Sequence, residues 1–139
     1  MSLSCIFIGF TILILGHIAK ARRIKELNFK YDQSFDPLAP HQNEIISILD
    51  IERCHWCYML VRDLWGDPKV KEYIESKGLT LRYISMQQAV QLVRHIKSPH
   101  IAKIPCTLFM GANGNEDIRQ YGLFGFEVLK EKVKFIVPE

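Results

Sequence analysis

Hydrophobic and polar positions from residue 43 onward follow two periods, and each period predicts a type of element. Short runs of apolar and β-branched residues predict buried strands, whereas apolar residues every three or four positions predict helices with one packed face. The predicted strands cover 43–50, 79–85, 104–110 and 116–121. The predicted helices cover 54–65, 68–76, 87–97 and 126–135.

The connections between these elements set the directions of the strands. A helical crossover joins the first two strands, which should therefore be parallel. The Gly-rich loop 111–115 joins the last two strands, which should be antiparallel. With helices on both faces, this order predicts an α/β fold, a three-layer sandwich around a mixed sheet in the order β-α-β-α-β-β-α.

The N-terminal segment has a different character from the rest of the chain. Leu3–Ala19 contains no Lys, Arg, Asp or Glu, and a basic stretch follows it from Lys20 to Lys25. An apolar helix over this run would be about 26 Å long, at the short end of a bilayer span. We predict a membrane anchor. The alternatives are a cleaved signal peptide, because Ala19-Lys20-Ala21 fits a small-x-small cleavage site, and a buried core helix.

The chain is therefore divided into three parts. Residues 1–27 form the apolar N-terminal helix, as anchor or signal, together with its basic stretch. Residues 28–42 contain two prolines and no sustained period, which predicts a linker or an extended arm. Residues 43–139 form the folded domain.

Charge and composition exclude several classes of protein. The net charge is +3, but residues 1–30 carry five basic residues and one acid, so the remainder is slightly acidic. The basic residues thus do not form a stripe with interleaved aromatics on the folded part, and we expect no nucleic-acid partner. Apolar residues make up 48% of the chain, which excludes a wholly disordered protein.

Two cysteines stand where the first strand turns into the first helix, in the sequence Cys54-His55-Trp56-Cys57. Two cysteines three apart on a first helical turn can close a small ring. The unpaired N–H groups and the dipole of the helix N-terminus favour a thiolate at Cys54, and a protonated His55 would add a second cation. This spacing predicts a redox-active pair in which Cys54 attacks a disulfide and Cys57 resolves the product.

Two other interpretations of the cysteine pair stay open. The pair could be a structural disulfide. It could also be part of a zinc site with Cys106 and His55, because three cysteines and one histidine are a known zinc ligand set. Neighbours along a strand point to opposite faces, however, so Cys106 should face away if Pro105 faces the pair. We therefore expect an inert, buried Cys106 and no metal.

A proline opens the third predicted strand, at Ile104-Pro105. Proline within a sheet needs a reason, and a cis bond facing the cysteine pair would be one. Together with the CHWC sequence and the order of elements over residues ~40–136, this feature makes the chain resemble the thioredoxin-like superfamily. Its bacterial thiol–disulfide interchange proteins are among the branches that it resembles most. The strand and Gly-bearing hairpin over 108–114 also resemble that superfamily.

The resemblance implies a protein thiol–disulfide oxidoreductase. Its catalytic residues would be Cys54 and Cys57, modulated by His55 and Trp56, with Ile104 and Pro105 binding the substrate backbone. Its partners would be proteins with thiols or disulfides and a second redox protein that recharges the dithiol. No bound cofactor is expected, since the chain has no Gly-rich phosphate loop. A non-catalytic binding or assembly module with the same fold is the alternative.

The chain departs from thioredoxins at the buried acid that precedes the first cysteine by six residues. That position is Ile48, while Asp50 and Glu52 lie nearer to the pair. This departure puts general-base help by a carboxylate in question.

Two arguments about the cellular location oppose each other. Disulfide exchange fits an extracytoplasmic, periplasmic domain held at the membrane through residues 3–19. Basic residues that follow an apolar run instead favour a domain facing the cytoplasm. We expect the extracytoplasmic arrangement, with the cytoplasm-facing one as the alternative.

Overall fold

The structure, a computed structural model, describes residues 3–138, with side chains from residue 7 onward. Its elements in chain order are α1 (Leu3–Glu26), β1 (Glu44–Ile48), α2 (His55–Leu60), α3 (Pro68–Ser76), β2 (Thr80–Ile84), α4 (Met86–His95), β3 (Cys106–Met110), β4 (Glu116–Tyr121) and α5 (Phe126–Val133). A π-helical segment, Val61–Trp65, continues α2.

The four strands form one mixed sheet in the order β2-β1-β3-β4. β1 and β2 are parallel, and β3 runs antiparallel to both β1 and β4. The predicted parallel first pair and antiparallel last pair are both confirmed. The two central strands, β1 and β3, are buried on both faces, which explains why they are the most continuously apolar of the four.

The core lies in two clusters, one on each face of the sheet. On one face, Ile45 and Phe109 pack with buried residues of α2, α3 and α5. On the other face, Ile46 and Leu108 pack with α4. Alternation along β1 and β3 assigns successive residues to opposite clusters, so the fold is an α/β sandwich with helices on both sides.

Helix boundaries follow local signals that the sequence carries. The Asp67 side chain accepts a hydrogen bond from the Lys69 N–H and caps α3, with Pro68 at its first position. Gly78, at φ 69°, follows that helix in the left-handed conformation that glycine adopts readily. Ser85 and Gln88 form a capping box that starts α4, so the helix begins one residue before its predicted start.

Residues 28–42 pack against the domain as an extended arm. Phe29 and Tyr31 contact the cluster that holds α2, and Phe35 is buried in the cluster that holds α4. The Asp32 N–H donates to the Tyr83 carbonyl (2.9 Å), and the Asp32 carboxylate pairs with Arg82. The arm thereby fixes the end of α1 relative to the sheet.

α1 confirms the predicted N-terminal helix, but its apolar part does not support the predicted membrane anchor. Within the described residues, no helix is both long enough and apolar enough to span a membrane. The described side chains of the apolar run extend only from Phe7 to Ala19, after which charged residues begin. The side chains of residues 3–6, the start of the predicted anchor, lie outside the described ones.

Candidate functional site

The cysteine pair follows β1 on a loop that the arm holds in place. The Tyr31 hydroxyl accepts a hydrogen bond from the Ile51 N–H (3.0 Å) and donates one to the Leu49 carbonyl (3.2 Å). The Asp50 carbonyl accepts from the Cys54 N–H at 2.8 Å. These contacts fix the turn that delivers Cys54 to the start of α2. Burial raises the pKa of Tyr31, so its hydroxyl stays protonated and able to donate.

Cys54 is the N-cap of α2. Its Sγ accepts a hydrogen bond from the Cys57 N–H at 3.2 Å, which satisfies one of the donors that a helix leaves unpaired at its N-terminus. An N–H directed at sulfur stabilises the thiolate over the thiol. The two cysteines lie at disulfide-bonding distance, with their Cα atoms 5.2 Å apart, as CxxC spacing on a helical turn allows.

The two sulfurs differ in their access to solvent. Cys54 is partly exposed at the surface, whereas Cys57 is fully buried in the core cluster with Leu60 and Trp65. A disulfide in another protein can therefore reach Cys54 and not Cys57. This asymmetry is what a nucleophilic and a resolving thiol require.

Cys106 lies on the opposite face of the sheet from the cysteine pair. It is buried with Ile48 and Leu108 in the cluster that packs against α4, while Cys57 belongs to the other cluster. Within the described residues, the structure has no group of three or more His, Cys, Asp and Glu side chains arranged to hold a metal ion. A zinc site would need Cys106 together with Cys54 and Cys57, but the sheet separates Cys106 from the other two.

We expect Cys106 to stay unmodified when the reduced native protein is treated with iodoacetamide near neutral pH. Burial raises the pKa of this thiol to about 12, and only the thiolate reacts appreciably. Peptide mapping by mass spectrometry should find the label on Cys54, and on Cys106 only after denaturation. Labelling of Cys106 in the folded protein at a rate comparable to that of Cys54 would contradict its burial.

The acids near the pair are placed differently from the buried acid of thioredoxins. Ile48 faces the α4 side, away from the cysteine pair. The Asp50 carboxylate accepts from the Arg53 N–H, and Glu52 is exposed. Ser47 and Thr107 are buried polar residues that lie opposite each other on the face of the pair, and Ser47 Oγ accepts from Trp65 Nε1 at 3.0 Å.

Among the residues predicted to modulate the pair or bind substrate, His55 and Trp56 are exposed, whereas Ile104 is partly buried and Pro105 is buried. Trp56 and His55 are both exposed on the first turn of α2, with ring centroids 5.8 Å apart. The Ile104–Pro105 peptide bond is cis, as predicted, and directly precedes β3. Ile104 packs against both core clusters, one of which contains Cys57.

One part of the site was not predicted from sequence. A cavity of about 220 Å³ opens beside Cys54, and α1 forms one of its walls through Lys20, Arg23 and Ile24. The opposite wall carries Arg53 and His55. The i, i+3 and i+4 spacing of the three α1 residues puts them on one helix face, and that spacing is the signal available in the sequence.

Comparison of the chain with protein-family models and with curated proteins finds no match. The indication of function therefore comes from the site, where an accessible sulfur and a buried one lie within bonding distance at the start of a helix.

Proposed function

We propose that the protein is a thiol–disulfide oxidoreductase that exchanges disulfides with other proteins through Cys54 and Cys57. The observation that carries the proposal is the asymmetry of the pair. Cys54 is partly exposed and receives an N–H hydrogen bond, while Cys57 is buried directly behind it. A purely structural disulfide has no need of an exposed sulfur at a helix N-cap.

The first chemical step is attack of the Cys54 thiolate on one sulfur of a substrate disulfide. A bond forms between Cys54 Sγ and that sulfur, the substrate disulfide breaks, and the second substrate sulfur leaves as a thiolate that takes up a proton. The Cys57 N–H supports this step because it stabilises the attacking thiolate before reaction.

The second step resolves the mixed disulfide. Cys57, as thiolate, attacks Cys54 Sγ, the Cys54–Cys57 bond forms, and the remaining substrate sulfur leaves. Two electrons thus pass from the dithiol to the substrate, and the reverse sequence oxidises a substrate dithiol. Because the Asp50 carboxylate is hydrogen-bonded to the Arg53 N–H and Glu52 is exposed, we expect the substrate thiolate released in the first step to take the Cys57 proton.

The surroundings of the pair support a protein as the substrate. Trp56 is an exposed aromatic next to Cys54, and such side chains provide apolar contact area with a polar edge. We propose that Trp56 contacts the polypeptide next to the substrate cysteine and that the loop at Ile104 and Pro105 binds the substrate backbone, with His55 as a modulating neighbour.

The likeness to the thioredoxin-like superfamily supports the same activity. The CHWC sequence, the cis Ile104–Pro105 bond and the mixed sheet with helices on both faces agree with it. On this basis we propose a second redox protein that recharges the dithiol. The reduction potential of the couple, measured by titration with glutathione, sets the direction of exchange.

Stable disulfides form mainly outside the cytoplasm, and we propose an extracytoplasmic location for the domain. Lys134 is exposed, and a Lys134→Cys variant can be treated with a membrane-impermeant thiol reagent in intact cells. Labelling in intact cells beyond that of the parent protein supports the proposal. Labelling of position 134 only after lysis would place the domain in the cytoplasm.

Reduction of insulin in the presence of dithiothreitol tests the activity itself. The wild-type protein should accelerate precipitation of the insulin B chain, whereas the Cys54→Ser protein should match the rate with dithiothreitol alone. A wild-type protein without acceleration, together with an inability to oxidise a reduced test substrate, would reject the oxidoreductase in favour of a non-catalytic module.

A further inference from the structure

The cavity beside Cys54 carries an excess of positive charge. Its basic lining residues are Lys20 and Arg23 on α1 and Arg53 on the loop before α2, with His55 next to them. Glu52 lines the adjoining cavity, which it shares with Lys20 and Lys25, and the Asp50 carboxylate accepts from the Arg53 N–H. Among the described residues, three permanent cations and no carboxylate therefore line the cavity itself.

The cations of the cavity are unpaired, unlike several other arginines of the domain. Within the described part of the chain, Lys20, Arg23 and Arg53 have no ion-pair partner. Other arginines bind carboxylates of the same chain: Arg62, Arg82 and Arg119. The cavity thus keeps its cations available for a charge on another molecule.

The arrangement is fixed by packing. Ile24 and Leu27 contact the core cluster, and the arm that follows is tied to the sheet by Tyr31 and Asp32. The last turns of α1 are therefore held against the start of α2. The basic side chains of α1 therefore lie on the wall of the cavity that also contains the partly exposed Cys54.

We infer that this cavity binds acidic side chains next to the reacting cysteine of the substrate protein. The inference rests on the proposed exchange activity and gives its substrate class, which is disulfides flanked by Asp or Glu. A volume of about 220 Å³ is below the ~300–1,000 Å³ of typical small-molecule sites, and it suits a side chain or two of a polypeptide. The positive charge of the cavity favours acidic side chains over neutral ones. Opposite charges also speed the encounter of the two proteins.

Two disulfide-linked peptides of equal length test the inference, one with Glu and one with Gln on both sides of the cysteine. The rate constant for each with the reduced full-length protein is divided by that peptide's rate constant with dithiothreitol, which removes differences in intrinsic reactivity. The wild-type protein should prefer the Glu peptide by about tenfold at low salt. Each of two surface ion pairs should contribute a factor of a few, and the two factors multiply. At ~1 M salt the preference should fall below about twofold.

The double variant Lys20→Gln/Arg23→Gln should reduce the preference to about twofold. Arg94→Gln/Lys134→Gln is the matched control, because it removes the same charge from exposed positions that do not line the cavity and should keep the tenfold preference. Equal preferences in the two double variants, or none in the wild-type protein, would overturn the inference.

A binding measurement separates this inference from the proposed activity. Fluorescence anisotropy with the same peptides carrying Ser in place of Cys reports the preference without any exchange. If neither disulfide peptide is reduced while the Glu peptide still binds more tightly through Lys20 and Arg23, the activity fails and the acidic specificity stands. Binding to phosphatidylglycerol vesicles that depends on these two residues, with no preference between the peptides, would assign the cations to a lipid surface and overturn the inference.

Discussion

Cys57→Ser is expected to trap substrate proteins on Cys54 as mixed disulfides, whereas Cys54→Ser is expected to trap none. The partly exposed Cys54 sulfur can reach a disulfide in another protein, and the buried Cys57 sulfur can reach only Cys54. Without Cys57, the first adduct has no internal thiol to release it. Either substitution should lower the acceleration of insulin reduction above the rate with dithiothreitol alone by about a thousandfold, because both thiols act on the same pathway.

The adducts are measured on non-reducing gels and located by mass spectrometry. All variants are made in a Cys5→Ser background, which removes the cysteine of the N-terminal segment. Cys106→Ala is the matched control, since it removes a cysteine on the opposite face and should leave both turnover and trapping in place. Equal trapping by Cys54→Ser and Cys57→Ser would contradict the assigned roles.

Most of the site could be predicted because its determinants are local in the sequence. CxxC spacing at the end of a buried apolar run places one cysteine at a helix N-cap, and the first turn of the helix carries the other into the core. The strand-opening Pro105 was predicted for a similar reason. Proline has no N–H to donate, so β3 starts at Cys106 and not at the predicted Ile104.

The helix after the pair departs from the simple periodic pattern. Spacing of Trp56, Leu60 and Leu64 predicts one apolar stripe, but Trp56 is 57% exposed and Cys57 takes its place on the buried face. The predicted helix over 54–65 also changes to a π-helical segment at Val61, where the Gly66 N–H donates to the Val61 carbonyl at 2.7 Å. That wider turn brings Val61, Leu64 and Trp65 together into the core. A search for apolar residues with the 3.6-residue period of an α-helix does not predict a π-helical turn.

The cavity wall formed by α1 could not be predicted from a local pattern. Its residues lie about thirty positions before Cys54, and their proximity depends on how the arm over 28–42 packs on the sheet. The apolar run before Lys20 predicts a membrane segment, and that prediction places the basic residues after it next to the membrane. Their contact with the site follows from tertiary packing of Ile24 and Leu27, each an ordinary apolar residue in the sequence.

Trp65→Ala is expected to lower the free energy of unfolding by about 3–5 kcal/mol, a large part of the ~5–15 kcal/mol typical of a domain. Trp65 is fully buried in the core cluster on the α2 face of the sheet, its ring meets that of Phe124 edge-on at 5.8 Å, and its Nε1–H donates to Ser47 Oγ. Urea unfolding followed by circular dichroism measures the change, with the slope of the transition as a check that the unfolded state is unaltered.

Two further variants divide this loss into its causes. Trp65→Phe keeps most of the packing but leaves Ser47 Oγ buried without its donor, which should cost about 1–2 kcal/mol. Trp56→Ala is the matched control, because the other tryptophan of the chain is exposed and should contribute within about 0.5 kcal/mol. A loss from Trp56→Ala as large as that from Trp65→Ala would mean that α2 is rotated relative to the core. The same rotation would exchange the exposed and buried positions of the cysteine pair, so this stability comparison also tests the orientation on which the roles of Cys54 and Cys57 depend.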